Sequence, residues 1–321
     1  MDTCCPRDCD FRRWDRAVIL SQGQQCASQE LGKQMIEAAQ PPLDSSVEAV
    51  LLRISCSWSS GRCRLDLCTP QNFMKQLADL HTRSTFPTGQ FGFHMVTCVG
   101  PNAQDTTWDS SWSAFHTRLL RQFYDCELSV CGPSNDAKYE AGMEVLLTST
   151  IPALLEPLQA DGRTLNPSLV HGDLWEENCG TDFDGGQPKI LDPAAFYAHN
   201  EYDFAAWRSE NVPFGRPHYR QYFKHIPPSE PKEQWDDRNK LYAIRAEVHR
   251  SSLWPALCES QREIVLGYLT DLTAKYAKGD AVDGAADPRL SHAGRVHFGL
   301  TARRETSEVD MVLGCDMIFD R

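Results

Sequence analysis

The chain lacks several things whose absence narrows its role. None of its apolar runs in 321 residues approaches the roughly 20 needed to cross a bilayer, so no membrane partner is expected. Positive charge is short: 32 Lys and Arg stand against 44 Asp and Glu, a net charge of -12. An acidic surface repels phosphate backbones, which argues against nucleic acid as a partner. Met1 to Asp10 shows no apolar stretch behind a basic start, so no secretory leader is expected. A soluble, cytoplasmic protein is the expectation. There are 13 cysteines, but no second Cys/His pair at ligand spacing accompanies Cys5 and Cys9. An odd count without a leader also speaks against a disulfide framework, so the cysteines read as reduced bystanders.

What is present falls into three stretches. From residue 69 to 279 the local signals agree. Thr69-Pro70 opens a helix with Phe73, Leu77, Leu80 and His81 on one face. Ser110 or Ser111 opens another, carrying Trp112, Phe115, Leu119 and Phe123. A Leu-rich helix from Lys138 to Leu158 is expected to end or kink at Pro152 and Pro157. Ser260 to Glu263 reads as a capping box before Val265, Leu269, Leu272 and Tyr276, with Gly279 as the stop. Two short strands, Ser168–Val170 and Lys189–Leu191, are expected to form a hairpin around Asp184-Gly185-Gly186. Residues 1–68 show no clear period, and the tail 280–321 has neither caps nor period and reads as disordered or loosely packed. No internal repeat is visible.

The chemistry concentrates in Leu169 to Asn178 (LVHGDLWEEN) and Ile190-Leu191-Asp192-Pro193. Phosphoryl transfer from ATP needs a carboxylate to orient the acceptor hydroxyl, and oxygen ligands to hold Mg2+ against the phosphates. Kinases supply these as an Asp and an Asn on one loop and a second Asp past a hairpin. Asp173 and Asn178 stand five positions apart, as in that loop, and Asp192 follows 14 residues after Asn178. Asp173 is then the candidate base, and Asn178 and Asp192 are the candidate metal ligands. The competing reading makes Asp173 a turn cap, Asn178 a left-handed turn residue, and Asp192 merely the residue before a proline. His171 reads as a loop-stabilising residue, because the reaction needs only one proton acceptor. Glu176 and Glu177 read as solvated loop charges, and Trp108, Trp112 and Phe115 as packing residues, with sugar stacking as the lesser alternative.

At these residues the chain resembles the fructosamine kinase family, the ketosamine or protein-ribulosamine 3-kinases, which belong with the aminoglycoside phosphotransferases and choline kinases. The resemblance covers roughly residues 70 to 278. It runs through Leu77 to His81 with Ser84, Pro87 to His94 (PTGQFGFH), Gln104, Trp108 and Ser111-Trp112. It continues through His171 to Trp175 with Asn178, Asp192-Pro193, Phe196-Tyr197, His199 and Glu201-Tyr202-Asp203. Among its branches the chain looks most like the fungal ones. The resemblance implies a protein-kinase-like α+β fold with a mainly helical carboxy-terminal lobe and a catalytic β-hairpin. It also implies ATP-dependent phosphorylation of the sugar 3-hydroxyl in ketoamine adducts, on glycated lysine of proteins or on small ketoamines, which reverses early glycation. In such folds an acid after the metal-binding segment braces the catalytic loop, a role Asp203 fits beside that of a plain acid in a helix's first turn.

The amino-terminal signals depart from that pattern. Before residue 70 there is no G-x-G-x-x-G, and the glycines Gly23, Gly32 and Gly61 stand alone. Lys33 is the only lysine before Lys75, and its surroundings read as a helix start and not a strand. By the resemblance, the glutamate expected to position a strand lysine falls near Ala39. Residues 1–68 therefore read as a truncated or degenerate amino-terminal lobe, either of a diverged relative or of a mistranslated longer gene. Two alternatives to the ketoamine kinase stand beside it: a catalytically inactive, pseudokinase-like binding protein, and a small-molecule kinase of the aminoglycoside or choline type.

Overall fold

The computed structural model describes residues 63–64, 69–84, 88–182, 186–209 and 212–276. The features expected before residue 63, the Asp184-Gly185 turn, the Gly279 stop and the 280–321 tail lie outside those residues. A two-residue strand, β1 (Cys63–Arg64), precedes the helix α1 (Pro70–Arg83). Pro70 sits in the first turn, where a missing N–H costs nothing, although the Thr69 side chain makes no capping bond. Phe73, Leu77, Leu80 and His81 are all buried on one face. The helix stops at Ser84, whose Oγ and carbonyl both accept the Leu169 N–H, at 3.2 and 3.3 Å. That junction carries His81 toward the loop that follows Leu169.

The small hairpin of β2 (Cys98–Val99) and β3 (Asn102–Ala103) leads to α2 (Trp112–Cys131). Ser111 is its cap, accepting the Ala114 N–H. Trp112, Phe115, Leu119 and Phe123 are buried, each burial contributing about 1.5–3 kcal/mol. The Leu-rich stretch is helical but broken: α3 (Ala137–Val145), a π turn (Leu146–Thr150), α4 (Ile151–Leu155), then a 3₁₀ turn (Glu156–Leu158). The widened turn comes just before Pro152, a common device where the regular ladder is interrupted.

The strand pairing differs from the expected single hairpin. β4 (Ser168–Val170) does not pair with the strand before Asp192. β5 (Cys179–Asp182) pairs antiparallel with β6 (Pro188–Ile190), and β1 adds to the free side of β5. β4 pairs instead with β7 (Phe196–Ala198), Leu169 opposite Tyr197. The reason is local: Asn178 runs straight into β5, so the nearest strand after the turn closes on β5 and leaves β4 for the next one.

A 3₁₀ run (Asn200–Arg208) follows, then α5 (Arg216–Tyr222), α6 (Trp235–Leu253) and α7 (Cys258–Tyr276). α6 packs against α2, α7 and the 3₁₀ run, and it escaped sequence reading because its buried residues mix charged and polar side chains with Leu241, Tyr242, Ile244 and Val248. Asp237, Arg238, Asn239, Arg245, Glu247 and His249 are all buried there, so no apolar stripe marks it. Val265, Leu269 and Leu272 are buried as expected, but α7 begins at Cys258, two residues before the expected cap. The Ser260 hydroxyl donates back to the Leu257 carbonyl and caps no N–H. The cysteines are not all bystanders either. Cys131 at the end of α2 and Cys258 at the start of α7 form a disulfide, their Cα atoms 6.1 Å apart, while Cys98 and Cys126 are free thiols.

Candidate active site

The loop from His171 to Asn178 leaves β4 and enters β5. Its shape begins at Gly172, with φ +81°, where a Cβ would meet the Ala194 carbonyl oxygen at 2.3 Å. Only glycine fits this close approach of the two segments. The Ala194 N–H donates to the His171 carbonyl at 2.9 Å, and Gln104 Nε2 donates to the Ala194 carbonyl at 2.9 Å. The segment after Asp192 is thereby tied to the segment before Asp173.

His171 is buried and joins both halves of the site. One ring nitrogen, Nε2, lies 2.8 Å from the Leu191 carbonyl, which can only accept, so that nitrogen carries the proton. Nδ1 then accepts the Asp173 N–H at 3.3 Å. Both ring nitrogens are thus engaged by the backbone, and the side chain serves as a link between the two segments.

Asn178 turns its amide nitrogen inward, donating to the Asp173 carbonyl at 2.8 Å and toward the Asp173 carboxylate at 3.3 Å. The Asn178 backbone carbonyl accepts the Leu191 N–H at 2.9 Å, so Asn178 and the residue before Asp192 face each other across the base of the β5–β6 hairpin. Asp192 is exposed, with φ +53°. Burial pushes the Asp173 carboxyl above its ordinary range, and the Asp192 charge adds to that rise. Arg245, His171 and the Asn178 amide pull the other way.

The brace behind the loop is Asp203, on the 3₁₀ run. One oxygen accepts the His171 N–H at 2.9 Å and His81 Nε2 at 2.9 Å, and the other accepts the Gly172 N–H at 2.8 Å. Despite the opposing effect of burial, these bonds hold its carboxyl below the ordinary range. His81 meets the Tyr222 hydroxyl at 2.7 Å, which in turn accepts Asn200 Nδ2 at 2.8 Å. Sequence reading put His81 on a buried helix face without seeing this role, and nothing in the spacing linked it to Tyr222. Arg245 was missed with α6; its Nη2 donates to the Gly172 carbonyl at 2.8 Å. Trp207 Nε1 holds the Leu174 carbonyl at 2.8 Å. Glu176 and Glu177 are half-buried, Trp112 and Phe115 are packing residues of the core, and half-buried Trp108 lies 6.2 Å from the Tyr197 ring, centroid to centroid.

A divalent cation suits the donor set. Asn178 keeps its amide oxygen out of any hydrogen bond among the described residues while its nitrogen meets the Asp173 carboxylate, and the charge of exposed Asp192 acts on that same carboxylate. Among the described residues no three His, Cys, Asp or Glu side chains converge to hold an ion by themselves. One amide and two carboxylates fit an ion that also takes oxygens from a phosphate-bearing substrate. Residues 1–62, in which the sequence shows no glycine-rich phosphate loop, lie outside the described residues.

The chain is similar to known proteins of one family. The model of the fructosamine kinase family matches residues 66–266. A chloroplastic protein-ribulosamine 3-kinase of Oryza sativa subsp. indica is 32% identical over 202 residues, 62% of this chain and 54% of its own. A ketosamine-3-kinase of Mus musculus is 34% identical over 116 residues, 36% of this chain and 34% of its own. The match thus spans about half, or less, of these curated relatives. A crystal structure from Thermobifida fusca YX-ER1, proposed to be a fructosamine-3-kinase, shares the fold with a TM-score of 0.52 at 21% identity, over 65% of this chain and 67% of that one. Among the described residues no helix is long and apolar enough to cross a membrane.

Proposed function

Because the chain belongs to the fructosamine kinase family, we propose that it transfers the γ-phosphoryl of ATP to the sugar 3-hydroxyl of ketoamine adducts on lysine, in proteins or small molecules. In this reading Asp173 orients the hydroxyl and takes its proton, with a carboxyl poised by burial on one side and by Arg245 on the other. Asn178 and Asp192 hold Mg2+, which when bound neutralises charge on the phosphates. His171 and Asp203 keep the loop in place. The observation that carries the reading is the Asn178 side chain: its nitrogen is spent on Asp173, and its oxygen makes no hydrogen bond among the described residues and is left for a ligand.

The names of the relatives support the substrate class: the rice protein is a protein-ribulosamine 3-kinase and the mouse protein a ketosamine-3-kinase. The reading takes residues 69–279 as the kinase-like carboxy-terminal lobe, residues 1–68 as a degenerate or truncated remnant of the amino-terminal lobe, and 280–321 as an atypical tail. The test is incubation of the full chain with ATP, Mg2+ and ribulosyl-lysine, fructosyl-lysine, choline or an aminoglycoside, with products read by mass spectrometry. Phosphorylated ketoamine is the expected result. Turnover confined to choline or aminoglycoside would move the chain to a different branch. Nucleotide binding by thermal shift without any turnover would make it a binding protein.

A further inference from the structure

Three arginines among the described residues are less than 5% exposed: Arg238, Arg245 and Arg262. Two are paired in the ordinary way. Arg238 meets Glu201 through two bonds of 2.8 and 3.0 Å, and Arg262 meets Glu127 at 2.6 Å. Arg245 forms no ion pair among the described residues, and its Nε has no hydrogen-bond partner. It lies between the rings of Phe123 and Tyr202, each centroid 5.2 Å from the guanidinium carbon. A buried cation without a counter-ion is costly, and flanking aromatic faces repay only part of that cost.

What Arg245 does touch is the catalytic loop. Its Nη2 donates to the Gly172 carbonyl at 2.8 Å, while Asp203 Oδ1 accepts the Gly172 N–H at 2.8 Å. The two peptide groups flanking Gly172 are thus gripped from α6 and from the 3₁₀ run. The second of them is the peptide from which Asp173 departs.

We propose that Arg245 is a positioning residue for the reaction: with Asp203 it clamps Gly172, and so sets the direction in which the Asp173 carboxylate leaves the backbone. The inference rests on the reading of Asp173 as the catalytic base. Arg245 touches neither substrate nor metal in this account and acts only through the loop. The aromatic pair matters because it fixes the guanidinium plane, so that one N–H meets the carbonyl squarely.

The experiment compares Arg245→Met, Arg245→Lys and Arg262→Met with the wild-type full chain. Steady-state kinetics are read with ATP and ribulosyl-lysine, and amide hydrogen exchange is read across Val170 to Leu174 without substrate. Arg245→Met is expected to lower kcat about 10- to 100-fold, as a misplaced catalytic group does, with both KM values within about twofold. Loop exchange should quicken in the same variant. Arg245→Lys, which retains a donor and a charge, should recover part of kcat. Arg262→Met should lower Tm and leave kcat and loop exchange alone. The proposal is overturned if Arg245→Met keeps wild-type kcat while folded, if its loop exchange is unchanged, or if Arg262→Met loses kcat equally. Should the wild type phosphorylate nothing, the functional reading fails by itself, and the exchange measurement still decides whether Arg245 holds the loop.

Discussion

Acid should destabilise this protein well above the pH at which its carboxylates protonate. His116 is fully buried on α2 among the rings of Trp112, Tyr202 and Tyr242, and neither ring nitrogen has a hydrogen-bond partner among the described residues. Burial, with Arg245 and then His199 nearby, holds its pKa down to about 3. His249 on α6 is held to about 3 by burial and by Arg245 and Arg250. His199 is lowered in the same direction by burial, Arg238 and His81. For such a group the unfolded chain takes up a proton as pH falls through about 6.5, while the folded chain does not until far lower. Stability is therefore complete above that pH and is lost as pH falls. Between pH 7 and pH 5 each of His116 and His249 costs about 2 kcal/mol, about 4 together, against a total of about 5–15 for a typical domain. Asp173, Glu201 and Glu247, all raised by burial, act in the opposite sense and offset part of this. A variant isolates the histidine contribution: His116→Phe should lose about 2 kcal/mol less than wild type over the same interval. Urea denaturation at pH 7, 6 and 5 reads both. Parallel pH dependence in wild type and His116→Phe would refute the reasoning.

Three further outcomes are expected. Gly172→Ala places a methyl group 2.3 Å from the Ala194 oxygen at φ +81°, so the loop must shift, and kcat should fall at least about 100-fold with a lowered Tm in a thermal melt. Asp192→Asn removes a charge from the proposed metal site, and the Mg2+ concentration for half-maximal rate should rise about tenfold, read by titrating Mg2+ at fixed ATP. Reducing the Cys131–Cys258 bond frees a segment closed over a separation of 127 residues, so Cys131→Ser with Cys258→Ser should cost at most about 5 kcal/mol in urea.

The legible parts of the fold were those where an apolar stripe meets a local stop signal. α1 and α2 were of this kind: Pro70 and Ser111 mark their starts, and aromatic and leucine residues at helical spacing mark the buried face. α6 was illegible for the opposite reason. Charged residues interrupt its apolar ones, and partners such as Glu201 for Arg238 and Lys275 for Asp237 come only from tertiary contacts. Strand pairing failed because three-residue strands carry little register information, and the competition between β5 and β4 is settled by where Asn178 turns. In the site, Asp173, Asn178, Asp192, His171 and Asp203 were nameable because loop and hairpin are close in sequence. Arg245 reaches the same loop directly, His81 through Asp203 and Tyr222 through His81, all from helices distant in sequence, where spacing is silent. The Cys131–Cys258 bond was hidden likewise, since 13 scattered cysteines do not announce which two will meet.

The central claim is that the Asp173 carboxylate takes the proton of the attacked sugar hydroxyl. Asp173→Asn preserves size and removes only the acceptor's charge. With saturating ATP, Mg2+ and ribulosyl-lysine, single-turnover phosphate transfer should slow about 100- to 10,000-fold, with the nucleotide-induced shift in Tm retained. Transfer at the wild-type rate in that variant would contradict the account.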